Sequence, residues 1–313
     1  MTLELDVVAK GLGFPEGPVA LPDGSLLFVD IYLETLSRVT PSGSVELVAK
    51  LPGGPNGAAL GPDGAAYVCN NGGAYSFMPY PVSETQTVRV PDPAGPPPGY
   101  VGGSIQRVDL KTGEMRVLYT LCDGEPLLSP DDLVFDAHGG FYFTATGFQT
   151  PRLIRKGAVY YATPDGASIR RVADIPSANG IGLSPDGRTL YVADTLWGRL
   201  WALTVSAPGV VEPGPLPGMP GRVVQTLPGY QWLDSLKVEA DGRVCVGTLL
   251  NGGITVFEED GTFEHVALPD LFITNLCFAG EDMRDVYITA SSTGTIYKAR
   301  WPRPGLQLHP SNA

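Results

Sequence analysis

One short pattern recurs six times along this chain: an apolar run, a turn built on Asp-Gly or a similar pair, and a second apolar run. The turns lie at residues 22–24, 62–64, 137–139, 185–187 and 240–242, with a weaker copy at 281–282. Asp-Gly pairs are typical of tight β-hairpin turns, because glycine accepts a positive φ and aspartate tolerates one. Such a repeat constrains the fold strongly, since each unit must bury its apolar face against its neighbours.

Each repeat also contains further short runs rich in β-branched and aromatic residues. Residues 26–29 follow the first turn, residues 104–108 and 157–161 supply third strands, and residues 45–48 supply a fourth. Helical periodicity with capping residues is essentially missing. The pattern predicts an all-β fold, a six-bladed β-propeller with four antiparallel strands per blade and about 40–50 residues in each.

The two ends of the chain are predicted to close this ring. The last repeat runs into Trp-Pro-Arg-Pro, which cannot continue a central strand, so residues 3–9 are expected to supply the missing outer strand. We interpret residues 1–313 as a single domain with a C-terminal tail at about 305–313. Two inserts rich in proline and glycine, at about 75–99 and 208–221, lie inside repeats and are expected to form loops over one face.

The balance of charge argues against several classes of partner. The chain has 33 acidic and 21 basic residues, a formal charge of −12, whereas nucleic acids and anionic membranes bind basic surfaces. No apolar run approaches the roughly 18 residues of a membrane span, and the first residues lack the apolar stretch of a secretory signal. We therefore expect a cytoplasmic protein that acts on a small molecule, with its oligomeric state left open. The four cysteines are expected to be reduced and buried: Cys69, Cys122, Cys245 and Cys277.

The register of the turns reveals a column of oxygen-bearing side chains. Seven residues before the central residue of each turn stand Glu16, Asn56, Asp131, Asn179, Asp234 and Asn275. These positions begin the first strand of each blade, nearest the propeller axis, so they are expected to face one another across a central channel. Three carboxylates in one channel repel each other, and a divalent cation would relieve that repulsion. The all-oxygen set favours one Ca²⁺, with Mg²⁺, Mn²⁺ or Zn²⁺ as alternatives; the competing interpretation is a water-filled polar channel.

Four short motifs contain residues of this column: Phe-Pro-Glu-Gly-Pro at 14–18, Pro-Asp-Asp-Leu at 130–133, the run 179–191, and Thr-Asn-Leu-Cys-Phe at 274–278. Together they resemble the regucalcin/gluconolactonase family of metal-dependent lactone hydrolases. The resemblance covers roughly residues 10–305 and implies a six-bladed propeller with one catalytic divalent cation in its channel. It implies that Glu16, Asn179 and Asp234 are the three protein ligands of that cation. Asp131 falls on an Asn that binds substrate in some members and metal in related phosphotriesterase-like propellers.

Two departures from the family pattern bear on the chemistry. Asp131 stands where the family has Asn, so it is either a further ligand that holds the cation more tightly or a base outside the ligand set. Ser129 stands where members acting on sugar lactones have Arg, which argues against a sugar lactone as substrate.

The scarcity of histidine removes several mechanisms. His138 and His265 lie in or beside turns and His309 lies in the tail, so a Ser-His-Asp or Cys-His site has no base near the channel. Metal-assisted hydrolysis remains, in which Asp234, or Asp131 if it is not a ligand, takes the proton of the attacking water. The prediction is a lactonase-type hydrolase that opens a small neutral or hydrophobic lactone by metal-activated water.

Aromatic residues on the loops expected at the channel mouth indicate an apolar substrate site. Those assigned to substrate contact are Tyr75, Phe148, Trp197 and Trp232, while Asn56 and Asn275 are expected to orient the substrate by hydrogen bonds. One alternative keeps the metal propeller and changes the chemistry, to phosphotriester hydrolysis or a non-hydrolytic conversion of a metabolite. The other is a non-catalytic binding propeller, although no Trp here is followed by Asp as in many such repeats.

Overall fold

Six four-stranded antiparallel sheets form a ring in the computed structural model, which describes residues 2–308. His309 lies outside the described residues. Each sheet is one blade, and the innermost strand of every blade packs against the innermost strands on either side. The predicted all-β, six-bladed propeller is therefore confirmed. The innermost strands of blades 1 to 6 are Pro15–Ala20, Pro55–Leu60, Pro130–Phe135, Ala178–Leu183, Trp232–Val238 and Ile273–Ala279.

The other strands follow outward in each blade. The second strands are Leu26–Asp30, Ala66–Asn70, Phe141–Ala145, Thr189–Asp194, Val244–Leu249 and Asp285–Ala290. The third strands are Thr35–Val39, Ser104–Val108, Gly157–Ala162, Arg199–Ala207, Gly253–Phe257 and Thr295–Arg300. The outer strands are Val45–Lys50, Met115–Tyr119, Ile169–Ile175, Arg222–Thr226, Phe263–Ala267 and Asp6–Lys10. Short accessory strands are Phe77–Pro81 with Thr87–Pro91, Leu121–Cys122 with Glu125–Pro126, Phe148–Thr150 with Leu153–Arg155, and Val210–Val211 beside Arg199–Ala207.

The N-terminal strand closes the ring as predicted. Asp6–Lys10 pairs antiparallel with Thr295–Arg300 of blade 6, so the observed strand begins three residues later than expected. This pairing covers the outer edge of the third strand of blade 6. Without it, that strand and the N-terminal strand would each have an unpaired edge open to association. The described residues include no helix long and apolar enough to cross a membrane. A cytoplasmic location stays a prediction.

Apolar side chains fill the space between neighbouring blades. Between blades 2 and 3, Phe135 packs edge-on against Tyr67 at 5.1 Å between ring centroids and tilts against Phe141 at 5.2 Å. Each fully buried side chain of this size stabilises the fold by about 1.5–3 kcal/mol.

All four cysteines are buried and unpaired, which agrees with the expectation of reduced thiols in the core.

The two inserts lie on opposite faces of the ring. Insert 75–99 joins the second and third strands of blade 2, at the face where the innermost strands begin, which we call the top. Insert 208–221 joins the third strand of blade 4 to its outer strand, at the face of the Asp-Gly turns, which we call the base. There the Gly209 amide donates to the Tyr142 hydroxyl at 2.7 Å. The prediction that both inserts cover one face is wrong, because successive strands run in opposite directions.

The C-terminal segment crosses the base from blade 6 to blade 5. The Ala240 amide donates to the Pro304 carbonyl at 2.9 Å. Below it, the fully buried carboxylate of Glu239 accepts from Trp301 Nε1 at 2.7 Å and from Arg303 Nη2 at 3.1 Å. The predicted tail is thus part of the packed structure as far as Leu306, whose amide donates to the Val238 carbonyl at 2.9 Å.

Candidate active site

A β-bulge occurs in every innermost strand at the predicted oxygen-bearing residue or directly beside it. The pairing with the second strand skips between Glu16 and Val19 in blade 1 and around Asn56 in blade 2, and the other four blades do the same. Bulges bend a strand and redirect its side chains. We infer that the bulges help to turn these side chains toward the axis, and we call the six residues the channel ring: Glu16, Asn56, Asp131, Asn179, Asp234 and Asn275.

Glycine follows three of the ring residues and lets adjacent innermost strands approach closely. A Cβ on Gly57 would lie 2.3 Å from the Asp131 carbonyl oxygen, and one on Gly180 would lie 2.5 Å from that of Asp234. Backbone atoms cannot move aside as the end of a flexible side chain can. These glycines therefore bring ring residues of neighbouring blades close together.

Hydrogen bonds within the ring satisfy some of its oxygens and leave others free. All six ring side chains are buried. Asn56 Nδ2 donates to Asp131 Oδ2 at 2.8 Å, and Asn275 Nδ2 donates to Glu16 Oε2 at 2.8 Å. Within the part of the chain that the structure describes, Glu16 Oε1 and Asn179 Oδ1 are buried and have no hydrogen-bond partner. A buried polar atom without a partner is costly and calls for an explanation.

The carboxylates of the ring raise one another's pKa. Burial raises the pKa of Glu16 to about 7, and the charge of Asp132 adds to the rise while the hydrogen bond from Asn275 opposes it. Burial likewise holds the pKa of Asp131 well above its usual range, followed by repulsion from Asp234 and Glu16. The pKa of Asp234 is also held high, first by burial and then by Glu16. Three carboxylates thus share a site with too little positive charge.

The donor set of the ring fits a hard divalent cation. Among residues 2–308, no group of three or more His, Cys, Asp or Glu side chains clusters in a way that could hold a metal ion. A site here would consequently need an amide oxygen, and Asn179 Oδ1 is the one that lacks a partner. Carboxylate and amide oxygens are the ligands that Ca²⁺ and Mg²⁺ prefer. Asn179 together with two of the three carboxylates Glu16, Asp131 and Asp234 is the set of ring residues available to hold such an ion.

A cavity of about 190 Å³ lies over the ring at the top face. Five ring residues line it, and Asn275 does not, because its side chain is 0% exposed and lies behind Glu16. Of the four aromatic residues assigned to substrate contact, Tyr75, Phe148 and Trp232 line the cavity. Trp197 does not line it; this residue is 52% exposed, with the Arg199 guanidinium 5.6 Å from its ring centroid.

Insert 75–99 forms a roof over this cavity. On one side, Arg89 Nη1 donates to the Gly13 carbonyl at 2.6 Å, and Phe77 packs against Phe14 at 5.0 Å between centroids. On the other side, Gly95 approaches Gln149 so closely that a Cβ would lie 2.3 Å from its carbonyl oxygen. The roof therefore spans from blade 1 to blade 3. None of the described residues that line the cavity is Lys, Arg or His.

Comparison with known proteins decides the family. Residues 14–292 match the family described as the SMP-30/gluconolactonase/LRE-like region. The chain belongs to this family. The resemblance predicted from the four motifs is confirmed, and with it the prediction of a lactonase-type hydrolase.

Individual relatives of this SMP-30/gluconolactonase family member agree over most of its length. A gluconolactonase of Zymomonas mobilis is 26% identical over 316 residues, covering 92% of this chain and 79% of the relative. A gluconolactonase of Xanthomonas campestris has TM-score 0.73 at 21% identity, covering 96% of this chain and 90% of that one. A regucalcin of Agrobacterium tumefaciens, described as a calcium-binding protein, has TM-score 0.73 at 17% identity, covering 98% and 99%. At these identities the two solved structures show the shared fold.

Sequence reasoning about this family member assigned Tyr75 to substrate contact as an aromatic residue, but it did not foresee that its hydroxyl meets those of Thr146 and Ser129. The Tyr75 hydroxyl lies 3.2 Å from Thr146 Oγ1, and Ser129 Oγ donates to it at 3.5 Å. Burial, and after it the charge of Asp131, raises the pKa of Tyr75, so the phenol stays protonated and can donate. Ser129 is the residue that stands where sugar-lactone members of the family have Arg. The register of the turns gave no signal for this contact between hydroxyls, because the insert that carries Tyr75 lies outside the repeat pattern.

The sequence analysis also missed a charged pair beneath the ring. Lys237 Nζ lies 3.4 Å from Asp132 Oδ2 and 3.2 Å from Asn275 Oδ1. An available signal was the isolated charge of Lys237 in the otherwise apolar end of its strand. The two described histidines lie away from the ring, as expected: His138 is in a turn at the base, and His265 Nδ1 contacts Thr255 Oγ1 at 3.0 Å.

Proposed function

We propose that this protein hydrolyses lactones at the channel ring, with one divalent cation, Ca²⁺ in the first instance, held by Glu16, Asn179 and Asp234. The observation that carries this proposal is the pair of buried, unpartnered oxygens, Glu16 Oε1 and Asn179 Oδ1, beside carboxylates whose pKa values are raised. The calcium-binding description of the Agrobacterium regucalcin supports it. When bound, such a cation polarises an ester carbonyl and stabilises the negative charge that develops on its oxygen.

Asp131 is the residue best suited to accept the proton of the attacking water. Asn56 donates to Asp131 Oδ2, which leaves Oδ1 available to a water in the cavity. A raised pKa makes a carboxylate a better proton acceptor, provided that it is ionised when it acts. In this arrangement Asp234 is a ligand of the cation. Asn56 holds the Asp131 carboxylate in place by its hydrogen bond and also lines the substrate cavity.

The cavity suits a neutral, largely apolar lactone. Its lining has no basic side chain among the described residues, so nothing there would balance the charge of a sugar acid. Phe148 and Trp232 supply apolar contact, and the Tyr75 hydroxyl is placed to donate a hydrogen bond to a substrate oxygen. Asn275 and Trp197 lie outside the cavity, so we assign them no substrate contact.

Metal analysis combined with a substrate panel tests the proposal. The purified protein is assayed before and after EDTA treatment, and again after addition of Ca²⁺, Mg²⁺, Mn²⁺ or Zn²⁺, on an alkyl-substituted lactone, gluconolactone and an aryl phosphotriester. We expect chelation to abolish lactone hydrolysis, Ca²⁺ to restore it, and the alkyl lactone to react faster than gluconolactone. Full activity after chelation contradicts the cation, and gluconolactone reacting faster contradicts the substrate class. A phosphotriester reacting faster than both lactones favours the alternative chemistry.

A further inference from the structure

Lys237 places a positive charge directly beneath the channel ring. It belongs to the innermost strand of blade 5 and lines a second cavity, of about 650 Å³, at the base of the propeller. Its side chain is only 12% exposed, and its ammonium lies 3.4 Å from Asp132 Oδ2 and 2.9 Å from the Leu236 carbonyl oxygen. Lys237 does not line the substrate cavity on the other side of the ring. It therefore acts on the ring from behind.

A chain of hydrogen bonds links Lys237 to Glu16. The ammonium donates to Asn275 Oδ1 at 3.2 Å, and the Leu276 amide donates to the same oxygen at 2.8 Å. An ammonium has donors only, so the Asn275 amide must turn its oxygen toward Lys237 and its NH₂ group toward Glu16. Asn275 Nδ2 then donates to Glu16 Oε2 at 2.8 Å, and Glu16 Oε1 is the oxygen that remains without a partner.

We propose that Lys237 is a positioning residue for the cation site: through Asn275 it holds Glu16 so that Oε1 is presented to the cation. This inference rests on the proposed function, because it requires a cation at the ring. Asp132 has the complementary role. Its buried carboxylate offsets the cost of burying the ammonium and keeps Lys237 beside Asn275.

The direction in which cation affinity changes when Lys237 is removed distinguishes a positioning role from a purely electrostatic one. As a charge alone, Lys237 repels a cation, so its removal should tighten cation binding. As a positioning residue Lys237 holds Glu16 in the orientation that binds the cation, so its removal should weaken cation binding. A double variant that removes both Lys237 and the charge of Asp132 leaves the net charge unchanged, but the charge of Asp132 acts on all three ring carboxylates. The number of waters on the bound ion, measured beside its affinity, is therefore the readout that reports on the positioning of Glu16.

The test compares Asp132→Asn/Lys237→Met with the unaltered protein. A matched control is Asp285→Asn/Lys298→Met, which removes an ion pair of 2.9 Å on blade 6 away from the ring. Calcium affinity is measured by calorimetry, and the number of waters on bound Tb³⁺ is counted from luminescence lifetimes in H₂O and D₂O. We expect the first variant to bind Ca²⁺ about 10–100-fold more weakly and to add a water to Tb³⁺. The control should match the unaltered protein.

Each outcome bears on the proposal. Unchanged Ca²⁺ affinity and Tb³⁺ hydration in the first variant overturn the role of Lys237 while leaving the proposed function intact. Failure of the unaltered protein to bind Ca²⁺ or Tb³⁺ overturns the cation site and this inference together. If the double variant does not fold, Asn275→Asp serves as a second test, because it adds negative charge but its carboxylate cannot donate to Glu16. Weaker Ca²⁺ binding by Asn275→Asp supports the positioning role, and equal or tighter binding contradicts it.

Discussion

Replacing Asp131 with asparagine separates the proton-accepting role of this residue from the cost of burying its charge. Asparagine keeps the shape of the side chain, and its oxygen can still accept the hydrogen bond that Asn56 donates at 2.8 Å. It cannot accept a proton from water. General-base catalysis contributes about 10²–10⁴-fold, so we expect kcat on a neutral lactone to fall by that factor, or about 3–5 kcal/mol on the barrier.

The same substitution should stabilise the cation-free fold. The pKa of Asp131 is held well above its usual range in the folded chain, so at neutral pH its charged form is less favourable folded than unfolded. A neutral side chain removes this penalty. We therefore expect the Asp131→Asn variant to have a higher free energy of unfolding in EDTA than the unaltered protein.

Three measurements check these two opposite effects. They are kcat at saturating cation, urea unfolding in EDTA, and Ca²⁺ affinity by calorimetry. Full kcat in the Asp131→Asn variant would refute the assignment of the base, and lower stability in EDTA would refute the electrostatic reasoning. If Ca²⁺ affinity falls steeply while kcat recovers at high Ca²⁺, Asp131 is a ligand instead.

Three further tests, two of them with a matched control, address the packing of the blades, the C-terminal segment and the substrate contact. Gly180→Ala places a Cβ 2.5 Å from backbone atoms of blade 5, so urea unfolding should show a loss of about 2–3 kcal/mol. Gly182→Ala meets only side-chain ends and should cost about 1 kcal/mol or less; equal losses would contradict the close approach of strands. Glu239→Gln should lower the free energy of unfolding by about 2–3 kcal/mol. The control Glu264→Gln, on the exposed rim of the same cluster, should lower it by under about 0.5 kcal/mol. A larger loss for Glu264→Gln would show that Glu239 does not anchor the C-terminal segment. Tyr75→Phe should lower kcat about tenfold, as expected for one hydrogen bond, and an unchanged kcat would show that the hydroxyl does not contact substrate.

The channel ring could be predicted from the sequence because it is part of the repeat. Turn and ring residue are separated by the length of one strand, so a column aligned on the turns also aligns Glu16, Asp131 and Asn179. The bulges beside these residues have no comparable signature in the sequence, yet every blade has one at its ring residue or within two residues of it. The expectation that the ring side chains face the channel came from the topology alone, and five of the six line the cavity over the ring.

What the repeat does not contain could not be predicted in this way. Trp197 and Tyr75 are both aromatic residues on top-face loops, and nothing in their local sequence separates the one at the surface from the one over the ring. The separation arises because insert 75–99 folds back across blades 1 and 3, a path set by contacts such as Arg89 with Gly13 that join distant parts of the chain. Asn275 was misjudged for a related reason. Its column aligns it with the ring, but its amide lies between Glu16 and Lys237, a neighbour contributed by blade 5, and only the packing of blades shows these two contacts.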